Sequence, residues 1–278
     1  MTVLGEGHGP SMLESVVLSF DEFQFLQQNL ELVDIPVVLS ANRYYDNSDT
    51  YSEAMSIAER SLTERELLHG DVVTPELAER LRALSLPHWA LEMRWMVGEQ
   101  VNRLCIAKGD KLEVVVLRGQ GTYVVDEAGP DLPGTVIAAL GPAQPLELYG
   151  MNIPTEEFAP ILGDTGDSTT TAQRLAKFGK PSQDAPTLAA ALVEIESAAE
   201  IIGLIYGDGT RDFTPNHISV INTRHGRFLS TTSVSDDGVK WSSLSTGTSA
   251  RLRIALQDLI ASMPLREDFP HGSSPLGT

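Results

Sequence analysis

The residues of this 278-residue chain best suited to chemistry are its six histidines, its single cysteine and a few adjacent acids. The histidines are His8, His69, His88, His217, His225 and His271, and no two stand three or four apart, the spacing that puts two ligands on one helix face. With Cys105 alone, a structural zinc site of the Cys/His kind is nearly excluded. His217 and His225 flank one predicted strand and its turn, so they could approach each other, but surface residues of a hairpin read the same way. Cys105 lies in an alternating strand, where a small buried side chain is expected, and no base stands near it in sequence. There is no Gly-x-Ser-x-Gly elbow, and Gly247-Thr248-Ser249 is better explained as a turn and a helix cap. Gly207-Asp208-Gly209 runs into Thr210-Arg211-Asp212, not into a helix opening on Gly-Lys-Ser, so it matches no phosphate-binding loop. Glu156-Glu157 and Asp236-Asp237 pair carboxylates, but each falls in a predicted loop, where solvated acids are expected, and the calcium-loop spacing is missing. No catalytic residue, no metal and no cofactor is expected.

Composition narrows the partners. Hydrophobic residues make up 42% and charged residues 21%, ordinary for a folded chain. The formal net charge is −18, from 38 acidic against 20 basic residues. A field of that sign repels phosphate backbones and anionic lipid, so neither nucleic acid nor membrane is an expected partner. Met1 to Pro10 lacks the basic start and apolar stretch of a signal peptide. Apolar runs such as Val114 to Leu117 fall far short of the roughly 20 residues that cross a bilayer. One unpaired cysteine fits a reducing compartment. A cytoplasmic location is therefore expected.

The elements follow from periodicity and caps. Ser15 to Leu18 suits a first strand, and Ser19 with Glu22 forms a capping box for a helix carrying Phe23, Leu26 and Leu30 on one face. A second capping box, Thr50 with Glu53, predicts a helix bearing Ala54, Ile57, Ala58 and Leu62 and ending near Gly70. Thr74-Pro75 opens a third, with Leu77, Leu81 and Leu84 as its buried stripe and Pro87 beyond it. Then Leu91, Met93, Trp95 and Val97 alternate on a strand, and a Gly98-Glu99-Gln100 turn leads to Val101 to Ala107. Further glycine turns separate Leu112 to Leu117 and Thr122 to Asp126, as in an antiparallel meander. An apolar stretch follows at Val136 to Leu140. Gln144 to Asp167 reads as an irregular connector, and a short helix from Thr171 to Phe178 closes on Gly179 with Pro181 beyond.

The plan then repeats. A helix is expected from about Pro186 to Ala199, with Leu188, Leu192, Ile195 and Ala199 on one face. Strands follow at Glu200 to Tyr206, His217 to Thr223, Arg227 to Val234 and Val239 to Ser245, joined by glycine-bearing turns. Thr248 or Ser249 caps a last helix with Leu252, Leu256, Leu259 and Met263. The layout predicts an α+β fold of pseudo-twofold form, its two meanders edge to edge in one sheet. One domain is expected over 15–263, made of halves at about 15–143 and 184–263, with flexible ends at 1–14 and 264–278. The second-half strands interleave Ser230, Thr231, Thr232, Ser233, Ser242, Ser243 and Ser245 with Phe228, Leu229, Trp241 and Leu244. Such a face can accept a partner, or it can be a solvated sheet surface.

Several stretches together resemble the EspG family, the type VII (ESX) secretion-associated chaperones of mycobacteria. They are Val16 to Phe23, Val33-Asp34-Ile35-Pro36-Val37-Val38-Leu39, Leu77 to Pro87 leading into Leu91 to Trp95, and Ile137 to Pro145. The resemblance spans most of residues 15 to 263 and rests on order and spacing, since no stretch is a catalytic signature. It implies a central antiparallel β-sheet with two flanking helical bundles in quasi-twofold halves. It implies a cytosolic chaperone that grips the hydrophobic tip of the PPE protein in PE–PPE heterodimers, keeps the pair soluble and directs it to its cognate secretion system. A 1:1:1 complex, a largely monomeric free state and no cofactor go with that. The resemblance places binding on the sheet, on the loop here formed by Gly98, Glu99 and Gln100 (shorter than in some members), and on the C-terminal side, where Phe228, Leu229, Ser230 and Thr231 are candidates. For Phe228, burial in the sheet's own packing competes with that role. Two other readings stand beside it: a scaffold or regulatory protein that homodimerises through its sheet, and a small-molecule enzyme with a scattered site.

Overall fold

The computed structural model describes residues 13–40, 45–178, 183–207 and 210–265. Strand β1 (Val16–Ser19) turns directly into helix α1 (Phe20–Asn29). The turn is held by the expected capping box: the Glu22 amide donates to Ser19 Oγ at 3.1 Å, and the Ser19 amide donates to Glu22 Oε2 at 2.7 Å. The buried Glu22 also accepts from Ser61 Oγ at 2.8 Å and from Arg65 Nη1 at 3.0 Å, which fastens α1 to α2 (Ser48–Glu64).

Helix α2 starts and stops earlier than predicted. Asn47 is its cap, and Thr50 is the reciprocal partner: Asn47 Oδ1 accepts from the amides of Asp49 and Thr50 at 2.9 Å, and the Asn47 amide donates to Thr50 Oγ1 at 3.2 Å. Both Asn47 and Thr50 are good caps, and the earlier one wins because Asn47 is already in extended backbone. The helix ends at Glu64, and Gly70, at φ +61°, instead turns the two-residue strands β2 (Leu68–His69) and β3 (Val72–Val73). Helix α3 (Pro75–Arg82) begins on Pro75 as expected and buries Leu77 and Leu81, with Leu84 buried just beyond its end.

The first meander is β4 (Trp89–Val97), β5 (Gln100–Lys108), β6 (Glu113–Arg118) and β7 (Thr122–Glu127), and the apolar stretch after it is helix α4 (Leu132–Leu140). The connector is more ordered than its prolines predict. It holds β8 (Met151–Pro154), α5 (Thr155–Gly163) and α6 (Ser168–Leu175). Pro154 sits at the cap of α5, where no amide is missed. Pro160 inside the helix forfeits one backbone bond, and burial of Phe158 and Ile161 outweighs it. Glu156 and Glu157 thus lie in the first turn of a helix, not in a loop, where its dipole favours them. The predicted closure at Gly179 and Pro181 lies outside the described residues, as do Asp208 and Gly209 of the following turn. So do most of the expected flexible ends, residues 1–12 and 266–278.

Helix α7 (Asp184–Leu192) is shorter than its apolar spacing predicts, and Ile195 and Ala199 belong to strand β9 (Ile195–Gly207). A spacing of four satisfies the helical period and the strand alternation alike, so this boundary is ambiguous in sequence. Strands β10 (Thr210–Thr223), β11 (Gly226–Val234) and β12 (Lys240–Thr246) complete the second meander. Thr248 caps α8 (Ser249–Ala261), accepting from the Arg251 amide at 3.2 Å.

All the long strands join one 10-stranded antiparallel sheet, ordered β1-β7-β6-β5-β4-β9-β10-β11-β12-β8. Its two halves mirror each other: β1 closes against β7 as β8 closes against β12, and each is followed at once by a helix. They meet edge to edge through an unbroken β4–β9 ladder from Trp89↔Ile205 to Val97↔Ser197. Alternation along that ladder sorts the core. Leu91, Met93, Ala199 and Ile201 point to the face covered by α4 and α8. On the opposite face, α1 to α3 pack over the first half against Ala90 and Leu204, while α5 to α7 pack over the second against Ile221 and Phe228.

Gly203 stands opposite Leu91 at the joint, and a Cβ there would lie 2.7 Å from both Met263 Sδ and Thr214 Cγ2. Gly203→Val should lower stability by about 1–3 kcal/mol through overpacking. Ser19→Ala should cost about 1 kcal/mol through loss of the cap. Urea midpoints at a constant slope would measure both; Gly203→Val at wild-type stability would contradict the close approach of these side chains.

Candidate partner interface

The bundles leave a strip of sheet between them uncovered. It is centred on the part of the β4–β9 joint formed by Arg94, Met96, Ala198, Glu200 and Ile202, with neighbours on β5 and β10, while Ala90, Glu92 and Leu204 on the same face are buried. Along it, His217 stands beside Ile202 and Ser219 beside Glu200, and exposed Phe213, opposite the buried Leu204, marks one end. Across the joint, Arg94 pairs with Glu200 and Met96 with Ala198. Phe213 is 58% exposed and Met96 52% exposed, while Arg94 and Glu200 are also exposed. The strip therefore has apolar side chains at both ends and charge in the middle.

The Gly98-Glu99-Gln100 segment lies at one end, as the exposed tip of the β4–β5 hairpin. Gly98, at φ +58°, makes the tight turn, and no atom would obstruct a side chain there. Beside it, Val97 and Ile195 are exposed apolar residues, each near the Val97↔Ser197 end of the ladder. The four C-terminal candidates are not brought to this surface together. Phe228 (0% exposed) is in the core under α5 to α7, and Leu229 (1%) points to the opposite core under α4 and α8. Strand alternation forces them apart, so both support the sheet from within and present nothing to a partner. Ser230 faces the strip side opposite Ser219 but is buried, and Thr231 is half-buried on the other face. Sequence reading missed Arg94, Met96 and Phe213, because their exposure depends on which strands meet at the joint.

The buried polar groups below the strip are structural. Glu92 Oε1 accepts from the Val38 amide at 3.3 Å, capping the short 3-10 turn Val37–Leu39. Burial raises its carboxyl above the ordinary 4.5, against lowering by that amide and by Arg94. Cys105, directly opposite Glu92, is wholly buried, and burial followed by the Glu92 charge pushes its thiol well up, so it is no nucleophile. His217 Nδ1 lies 2.9 Å from Thr232 Oγ1, and burial lowers its pKa. His225 stands apart in the turn after β10, 3.8 Å from Glu194. Among the described residues no group of three or more His, Cys, Asp or Glu could hold a metal ion. No helix there is long and apolar enough to cross a membrane.

An uncovered strip on a pseudo-twofold sheet between two helical bundles defines a class of α+β protein. Comparison with known sequences places it more closely. The EspG family profile matches residues 19–258, and the chain belongs to that family. It is 24% identical over 268 residues to the ESX-3 secretion-associated protein EspG3 of Mycolicibacterium smegmatis, spanning 94% of this chain and 90% of that one. To the protein of the same name from Mycobacterium tuberculosis it is 23% identical, spanning 92% and 94%. Among solved structures it resembles the Mycobacterium tuberculosis type VII secretion system chaperone EspG5, determined in complex with the PE25–PPE41 dimer. The TM-score is 0.72 at 14% identity, over 90% of this chain and 97% of that one.

The Glu92 environment yields a pH test. The folded state holds the Glu92 proton more tightly than the unfolded chain does, so the contribution of Glu92 to stability is fully present below pH 4.5 and is lost as pH rises through the raised folded value. Glu92→Gln keeps an acceptor for Val38 and removes the charge. It should flatten the decline above pH 4.5 and raise the thermal midpoint at neutral pH. Midpoints across a pH series would decide, and parallel wild-type and variant profiles would mean that Glu92 ionises in the fold without cost.

Proposed function

We propose that this chain is a cytoplasmic secretion chaperone that docks a PE–PPE heterodimer, through the tip of the PPE subunit, against the open strip of its sheet. The observation that carries the reading is the strip itself, a surface with exposed Met96 and Phe213 in a member of the EspG family. An apolar helical tip is an aggregation hazard, and covering it with a strongly acidic protein reduces that hazard. Docking of this kind needs complementary shape and apolar anchors, with no catalytic constellation.

The single domain over 15–263 acts in this proposal as one rigid platform, and Gly98, Glu99 and Gln100 serve as its rim, with Thr231 on the far face. Phe228, Leu229 and Ser230 hold that platform from inside. The free protein is monomeric, and the complex contains one copy of each chain.

Co-expression with PE–PPE pairs encoded beside this gene, followed by affinity capture and size-exclusion chromatography, tests the proposal. A three-chain peak selecting one pair is expected; a folded chain that elutes as a dimer and ignores every pair would favour the scaffold reading. Met96→Asp with Phe213→Asp should weaken the complex at least tenfold while unfolding stability stays within about 0.5 kcal/mol, because both side chains are exposed. Isothermal titration and thermal melts would measure the two quantities.

A further inference from the structure

From the middle of the open strip runs a row of like charge that the neighbouring acids only partly offset. Arg94, Arg103 and Arg118 stand directly opposite one another on β4, β5 and β6. Two successive cross-strand positions therefore pair like with like, an arrangement that costs stability. The chain holds 38 acidic residues against 20 basic ones, so acids were available for these positions.

Their surroundings differ. Arg118 is anchored: its Nη1 donates to the carbonyls of Val38 at 3.2 Å and Ser40 at 2.6 Å, and its guanidinium lies 5.4 Å from the centre of the Phe20 ring. Arg103 donates to the Val101 carbonyl on its own strand at 3.2 Å, and Arg94 is exposed. Among the described residues neither Arg94 nor Arg103 forms an ion pair. Desolvation, then Arg118, then Arg94 depress the pKa of Arg103, so its charge is held against its surroundings. The acid facing the row from the second half is Glu200, opposite Arg94, and it does not close onto it. Glu200 and the buried Glu92, whose charge interacts with Arg94, thus face three guanidinium groups.

We propose that Arg94 and Arg103, backed by the anchored Arg118, form a seat for an Asp- or Glu-bearing segment of the docked protein and select among clients by that charge. This rests on the reading of the strip as the docking surface. Planar guanidinium forks bind carboxylates bidentately. Neighbouring strands lie about 4.8 Å apart, so acids one helical turn apart, about 5–6 Å, match adjacent members of the row. The apolar residues at both ends of the strip supply contact area, and the row supplies the register. With a net charge of −18 over the whole chain, an acidic partner is repelled by most of the surface and attracted where it reaches these arginines, which favours selection over general stickiness. The same charge opposes a polyanion such as RNA, whose phosphates extend well past the strip.

The full chain can be titrated, by fluorescence anisotropy, with a labelled helical peptide carrying glutamate at every fourth position and with its glutamine analogue. The glutamate peptide should bind and the glutamine analogue should not, with binding weakening as salt shortens the screening length below about 10 Å. R94Q/R103Q should weaken binding by roughly threefold to thirtyfold, and R94K/R103K should restore part of it. The thermal midpoint of R94Q/R103Q should rise, since a like-charge contact is relieved, whereas a structural role for the row would lower it. Equal binding of both peptides, unchanged binding by R94Q/R103Q, or preference for an RNA oligomer of equal charge would overturn the proposal. In co-expression, R94E/R103E should lose its PE–PPE pair. If that variant keeps the pair at wild-type affinity, the row fails and the chaperone reading stands. If the wild-type chain captures no pair yet binds the acidic peptide through these arginines, the row stands and the client assignment fails.

Discussion

The β4–β9 ladder is the constraint on which the rest of the molecule depends. Each half has an edge at that strand, and an unpaired edge is a liability that antiparallel pairing removes. Joining the two edges makes one sheet from two meanders and fixes its faces together. Leu91, Met93, Ala199 and Ile201 fall under α4 and α8 only in this register. A slip of one residue would turn that apolar set toward water and bury Arg94 and Glu200 in its place. The energetic penalty for such a slip is what makes the central strip well defined.

The same joint explains why the strip is open. Each three-helix group packs on its own half of the sheet, over Val116 and Val125 on one side and Ile153 and Leu244 on the other. Helices α1 to α3 reach the Ala90–Leu204 end of the joint but the two groups leave its Arg94–Glu200 and Met96–Ala198 stretch open, while the α4–α8 pair crosses the joint on the opposite face. A sheet built this way has one sealed face and one face with a gap. Residues in the gap are free of packing duties, so their chemistry can vary while the fold holds. That is consistent with a fold shared with EspG5 at 14% identity, since alternation and turns need residue classes and not particular residues.

Polar groups near the gap show where the fold tolerates charge. Glu92 is buried yet caps the Val37–Leu39 turn, and Arg118 is half-buried yet satisfies two carbonyls. Each has a backbone partner, which offsets the desolvation of a charged group. Arg103 has a single bond to the Val101 carbonyl on its own strand, and Arg94 is exposed beside the Glu92 charge without an ion pair among the described residues. The proposed seat draws on the charges that the fold anchors least.

Much of this was legible in the chain itself. Local rules determined the Ser19–Glu22 cap, Pro75 at the head of α3, the glycine turns of both meanders and the repeat of layout, because each depends on a few residues close in sequence. The family likeness was readable from the same local pattern. Where two local rules agreed with the residues equally well, sequence could not choose. Ile195 and Ala199 fit helix and strand alike, and the prolines of β8 and α5 read as breaks until burial of Phe158 and Ile161 overrode them. The proposed binding surface was the least legible part. Phe228 and Leu229 look like surface candidates in a Ser/Thr-rich strand, yet alternation between two packed faces buries both. Arg94, Arg103 and Arg118 are scattered over 25 positions of sequence and become one row only through strand register, which long-range pairing decides.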